Sequence, residues 1–151
     1  MFERYSEKAR HVVFYSRMEA STLGDREIRA THLLLGLLKE GKGVFFKLHL
    51  PEGKMEALRE ACVKRSVGGE RIPTSVDMVV DDEAKGILGR AAEEADIRKD
   101  KDIDLEHLLL GSLHVPSQAK DIVREHGIVY AKVSALLRGN NSPLGGALDS
   151  T

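Results

Sequence analysis

A chain of 151 residues, 42% hydrophobic and 31% charged, is long enough to bury a core without disulfides or metals. Its net charge of −1 gives no global attraction to nucleic acid or an anionic membrane. The lone Cys62 excludes a disulfide framework and a cysteine-based metal site, and no apolar run reaches the roughly 18 residues of a membrane span.

The charge is uneven along the chain. Residues 1–70 carry 13 Lys/Arg and 10 Asp/Glu, or +3, and residues 71–151 carry 10 and 14, or −4. The opening Met-Phe-Glu-Arg-Tyr-Ser-Glu-Lys has no signal-peptide h-region, so a cytoplasmic setting is expected.

A first helix is predicted from Ser6, a good N-cap. Ala9, Val12, Val13, Ser16 and Ala20 fall on one face, and Gly24 stops it. A loop over residues 25–30 leads to a second helix, capped at or near Thr31, apolar almost all round and ending by Gly41. Such a helix belongs in the middle of a bundle. Gly36 inside it costs about 1 kcal/mol relative to Ala, which predicts a close backbone crossing. Residues 43–50 read as a short third helix. Pro51 is expected to open a fourth, with Met55, Leu58 and Cys62 as its buried stripe and Cys62 a core residue. Residues 68–78, rich in Gly, Pro and Ser, read as a linker.

The second half repeats this plan. Asp81, Asp82 and Glu83 place negative charge at a helix N-terminus, where the dipole favours it. Ala84, Ile87, Leu88, Ala91 and Ala95 reproduce the first helix's stripe. A sixth helix covers 105–113, Pro116 opens a seventh that Gly127 closes, and an eighth carries Val129, Val133, Leu136 and Leu137. Val76–Val80 is the nearest approach to a strand and reads as an extended lead-in. Residues 140–151 read as a flexible tail.

The halves are an internal duplication at an offset of 75. Thr-His-Leu-Leu-Leu-Gly-Leu-Leu at 31–38 returns as Glu-His-Leu-Leu-Leu-Gly-Ser-Leu at 106–113. Sliding residues 4–39 onto 79–114 gives 11 identities, including Glu19/Glu94, Asp25/Asp100, Ile28/Ile103, His32/His107 and Gly36/Gly111. Chance pairing would give about 2 or 3. The expected architecture is therefore all-α, with eight helices in two pseudo-twofold-related sets of four. Residues 1–67 form the first repeat and 79–139 the second, packed as one domain.

Catalytic signals are missing. There is no P-loop, no nucleophile elbow and no His-Glu-x-x-His zinc motif. No cofactor or metal is expected. His32 and His107 read as structural residues bonded to a loop carbonyl. Six of the seven aromatics lie in the first 50 residues, and Phe14 and Phe46 fall off the apolar stripes, as candidates for an exposed recognition patch.

The duplicated x-His-Leu-Leu-Leu-Gly-x-Leu motif, the Gly/Asp loop before it and the opening Phe-x-Arg-Tyr-Ser-Glu-Lys-Ala resemble the double Clp amino-terminal repeat. That module is the N-terminal domain of ClpC- and ClpA-type AAA+ unfoldases, and the resemblance covers about residues 1–139. It implies a non-catalytic domain that captures protein substrates and adaptors for an ATP-dependent unfoldase, with Clp ATPase or peptidase subunits as further partners and no role for nucleic acid or membrane. The family's contact surface between the starts of the first and fifth helices maps onto Phe2, Arg10, Val80 and Lys85. These are apolar anchors flanked by positive charge, suited to an unfolded or acidic segment.

Some family members bind phosphorylated arginine through Gly-Thr-Glu-His before each repeated helix. Here the first copy reads Arg29-Ala30-Thr31-His32 and the second Asp104-Leu105-Glu106-His107. Thr31 cannot offer the carboxylate a guanidinium needs, so the resemblance implies at most one weakened site, around Glu106. Met1 reads as a true start and the sequence reaches Thr151 before any motor, which leaves either a piece of a longer Clp ATPase or a free-standing repeat protein. The alternative is thus a free-standing accessory subunit docking on a Clp ATPase or peptidase core.

Overall fold

The computed structural model describes residues 2–141. Helix α1 (Glu7–Thr22) begins where the sequence reading puts it: Ser6 is extended and its Oγ accepts from the Ala9 amide at 3.1 Å. Ala9, Val12, Ser16 and Ala20 are buried on one face. The helix ends at Leu23, and Gly24 turns left-handed at φ 77°.

A two-residue strand, β1 (Glu27–Ile28), leads to α2 (Ala30–Glu40), followed by α3 (Lys42–Lys47) and α4 (Lys54–Lys64). After the connecting segment come β2 (Val79–Val80), α5 (Asp82–Ile97), α6 (Leu105–His114), α7 (Gln118–Glu125) and α8 (Tyr130–Asn141). The expected tail begins inside α8, and its residues after Asn141 lie outside the described residues.

Three expected helix starts move. Helix α2 is capped by Arg29, so Thr31 lies within its first turn. Gly53, left-handed at φ 81°, caps α4, and Pro51 sits in the preceding turn, its carbonyl accepting from the Lys54 amide at 3.1 Å. Ser117 caps α7 through its Oγ on the Lys120 amide, leaving Pro116 before the helix. At α4 and α7 a residue that can set the cap geometry outranks a proline that only tolerates N1. The strands are the other difference. Glu27 and Ile28 pair in parallel with Val79 and Val80; two residues show no alternation for a sequence reading to find.

Helices α2 and α6 form the centre. Every residue from Ala30 to Leu38 is buried, and all of α6 between Leu105 and Leu113 is buried except Glu106. Helix α2 packs on α1, α4, α6 and α7, and α6 on α5, α7 and α8. Each fully buried Leu contributes roughly 1.5–3 kcal/mol. The glycines explain how the helices come so close. A Cβ on Gly36 would lie 2.5 Å from the Val12 carbonyl oxygen, and one on Gly111 would lie 2.7 Å from that of Ile87. Backbone touches backbone at both crossings.

The two repeats exchange bonds under the 75-residue offset. The Ser6 amide donates to the Ile103 carbonyl at 3.0 Å, and its equivalent, the Asp81 amide, donates to the Ile28 carbonyl at 3.0 Å. Tyr5 bridges to Ile103 as Val80 pairs with Ile28. The connecting segment is strapped to α1: Arg17 donates to the Thr74 and Val76 carbonyls at 2.8 and 2.9 Å, and Ser21 exchanges hydrogen bonds with Ile72. Helix α8 is fixed to α5 by Glu94, 1% exposed, whose Oε2 accepts from Tyr130 at 2.7 Å and from Arg90 at 2.9 Å.

Candidate functional site

The N-termini of α1 and α5 lie at corresponding ends of the two repeats. Arg10 and Lys85 are equivalent under the offset, each four residues beyond its N-cap, and their amides donate to the Ser6 and Asp81 carbonyls. Both side chains are exposed, and neither enters an ion pair among the described residues. Phe2 is half-buried and stands edge-on to Tyr5, with centroids 4.8 Å apart and planes at 72°. Val80 is half-buried in β2 and packs against the core. Phe2 and Arg10 thus flank the cross-repeat pairing of Tyr5 with Ile103, and Lys85 follows that of Val80 with Ile28. Burial pushes the Tyr5 phenol up to about 12.

The starts of α2 and α6 form a second pair of equivalent places. In each, the repeated histidine closes a capping box. The Arg29 amide donates to His32 Nδ1 at 2.9 Å, and the Asp104 amide donates to His107 Nδ1 at 2.8 Å. Each imidazole therefore accepts an N–H rather than bonding a loop carbonyl, the partner expected from sequence. The N-cap amide is one of the orphan donors at a helix start, and the N3 side chain is placed to satisfy it.

The far sides of the rings differ. His107 Nε2 meets Asp100 Oδ2 at 2.7 Å. His32 Nε2 is buried without a hydrogen-bond partner among the described residues. Asp25, the equivalent of Asp100, is held elsewhere: its carboxylate accepts from Arg29 Nε at 2.6 Å and from the Glu27 amide at 3.0 Å. Burial raises the Asp25 carboxyl, but the Arg29 and Glu27 bonds outweigh it and hold the group below its ordinary range. Burial also holds the His32 imidazole below its ordinary value, so it is neutral.

Arg29 causes this asymmetry. It stands where the second repeat has Asp104. Its guanidinium binds Asp25, reaches Glu27 Oε2 at 2.8 Å and lies 3.8 Å from Asp81 Oδ2. Asp104 instead accepts from Ser6 Oγ at 2.8 Å. Sequence reasoning finds Ser6 as a cap and Asp25 as a matched position but misses the Arg29–Asp25 pair and the Ser6–Asp104 bond, although the Arg/Asp mismatch at 29 and 104 is visible once the repeats are aligned. Thr31 is 2% exposed. Glu106 is half-buried in the first turn of α6.

Other candidates resolve simply. Cys62 is buried, and burial pushes its thiol up to about 12, which makes it an inert core residue. Phe14 and Phe46 are 58% and 80% exposed, as their positions off the stripes predict. Among the described residues, no group of three or more His, Cys, Asp and Glu is placed to hold a metal ion, and no helix is long and apolar enough to cross a membrane.

Comparison with known proteins agrees with this architecture. The model of the Clp repeat (R) N-terminal domain matches residues 4–126. A probable ATP-dependent Clp protease ATP-binding subunit of Chlamydia pneumoniae is 34% identical over 116 residues, 76% of this chain and 14% of that protein. The chloroplastic chaperone protein ClpC2 of Arabidopsis thaliana is 34% identical over 119 residues, 75% of this chain and 12% of its own length. The chain thus spans about an eighth of these relatives. In fold it is similar to the N-terminal domain of the Caseinolytic protease associated chaperone ClpD of Arabidopsis thaliana (TM-score 0.68, 23% identity, 90% of this chain and 93% of that one). It is also similar to the Hsp104 N-terminal domain of Candida albicans (TM-score 0.71, 17% identity, 89% of each chain). With residues 4–126 matched by the family model and both repeats present in the structure, the chain belongs to the Clp repeat N-terminal domain family.

Proposed function

We propose that this chain is a non-catalytic protein-binding domain that recognises substrates or adaptors for a Clp-type ATP-dependent unfoldase. Its contact surface is the pair of helix starts that carries Phe2, Arg10, Val80 and Lys85. One observation supports the reading above the others: Arg10 and Lys85 are equivalent, exposed cations that enter no ion pair among the described residues, at helix starts whose flanking Phe2 and Val80 are half-buried and rest on the core. Unpaired positive charge steers an acidic segment in, and the anchors supply apolar area on a rigid base. A cytoplasmic setting is part of the same proposal.

The test is equilibrium binding of a reduced, carboxymethylated protein, which is unfolded and acidic, to the chain and to F2A/V80D. The proposal expects saturable binding and at least a tenfold loss in the double variant, with native helical content retained. A variant that binds the unfolded protein as tightly as the parent chain overturns it. Selective capture of purified Clp ATPase or peptidase subunits in place of the unfolded protein would favour an accessory subunit instead.

A further inference from the structure

We propose that the second repeat holds a separate pocket for the free C-terminus of a polypeptide that ends in an apolar residue. The pocket lies between the end of α6, α7 and the start of α8, and has a volume of about 210 Å³. Leu113, Ile128, Val129 and Tyr130 form its apolar wall, and Lys120, Arg124 and His114 complete the lining. Among the described residues no carboxylate lines it. Lys120 and Arg124 are four residues apart on α7 and so share one helix face.

The volume falls below the roughly 300–1,000 Å³ of a pocket for a drug-sized ligand and suits a single side chain. The occupant must then carry apolar bulk and a negative charge only a few bonds apart. An internal Asp or Glu supplies the charge but leaves the apolar wall unfilled. An internal Leu fills the wall but leaves the cations unanswered. A chain-terminal apolar residue carries both, because its α-carboxylate is attached to the same Cα as its side chain.

Both cations are available. Lys120 Nζ makes only a long, exposed contact of 3.4 Å with the His114 carbonyl. Arg124 pairs with Asp121 at 3.2 Å, but that pair is 63% and 51% exposed and worth little, so the guanidinium can exchange partners. The Tyr130 side of the wall is fixed: its hydroxyl is held by Glu94 at 2.7 Å and its ring stands edge-on to His114, with centroids 5.6 Å apart.

The first repeat shows why the second is the one to carry this role. At the corresponding place, between α2 and α4, it has a groove lined by Leu38, Met55, Lys39, Lys42 and Arg59, and also by Glu19 and Glu56. The two carboxylates offset two of these three cations, and Arg59 already pairs with Glu19 at 3.2 Å. The inference does not rest on the α1/α5 surface, and the two can fail separately.

The experiment uses one fluorescein-labelled decapeptide ending in Leu-Leu, as the free acid and as the C-terminal amide, with binding read by anisotropy. The free acid is expected to bind and the amide to bind at least tenfold more weakly. K120A/R124A should abolish the difference, while R10E/K85E should leave it unchanged. Equal binding of acid and amide, no binding of either, or a difference that survives in K120A/R124A would each overturn the proposal. The acid–amide comparison needs no variant, so a folding defect in K120A/R124A cannot obscure the result.

Discussion

Ser6 Oγ donates a 2.8 Å hydrogen bond to Asp104 Oδ1, which joins the N-cap of α1 to the N-cap of α6 across 98 residues. The same hydroxyl accepts from the Ala9 amide. One small side chain therefore finishes a helix of the first repeat and holds the second repeat in place.

Ser6→Ala should remove both roles at once. Loss of the cap alone costs about 1 kcal/mol, and Asp104 Oδ1 loses one of its donors, keeping the Leu105 amide at 2.8 Å. Urea denaturation is expected to show a loss of about 1–2 kcal/mol in a single transition. Because α2 packs on α6 and α7, the two repeats should melt together, and two separate transitions in the parent chain would contradict that.

Gly36→Ala and Gly111→Ala should each destabilise the fold by more than a surface substitution. The new methyl would meet backbone oxygen at 2.5 and 2.7 Å, a clash no side-chain rotation can relieve. Overpacking of this kind costs about 1–3 kcal/mol. Thermal melting of the two variants measures it directly, and an unchanged or raised Tm would contradict the close crossing.

His32 gives a pH dependence of definite sign. Its folded-state pKa lies below the ordinary value of 6.5 because the ring is buried. The unfolded chain therefore binds the proton more readily than the folded one. The contribution of the neutral ring is complete above about pH 6.5 and is lost as pH falls from there through the lowered folded value. Urea midpoints at pH 7.5 and 5.5 should differ less in His32→Gln than in the parent chain, since Gln suits the N3 place of a capping box and does not titrate. An equal pH effect in both would show that other groups are responsible.

The repeat asymmetry bears on phosphorylated arginine. In the first repeat Thr31 is buried and the neighbouring carboxylates of Asp25 and Glu27 already hold Arg29. We expect a phosphoarginine peptide to occupy at most one site per chain, sensitive to Glu106→Ala and indifferent to Thr31→Val. A calorimetric stoichiometry of two would contradict this.

Much of this architecture is legible in the sequence because the duplication displays it twice. Gly36 and Gly111 at the same place in two apolar helices announce a backbone crossing, and the structure has one at each. Ser6 reads as a cap from residue type alone. What stays hidden depends on partners far apart in the chain. Asp25/Asp100 and His32/His107 are matched pairs, yet only His107 reaches its aspartate, because Arg29 draws Asp25 away. The strands fail for a simpler reason: Glu27–Ile28 and Val79–Val80 are too short to carry a pattern. The cap at Arg29 comes from a residue that a propensity reading ranks below Thr31.

The most direct test of the account is the affinity of a carboxymethylated, unfolded protein for the parent chain and for R10E/K85E at 50 and 300 mM salt. If two unpaired cations at equivalent helix starts guide capture, charge reversal weakens binding at least tenfold at low salt, and added salt weakens the parent far more than the variant. Equal affinity of parent and variant at both salt concentrations would contradict a binding surface built on Arg10 and Lys85.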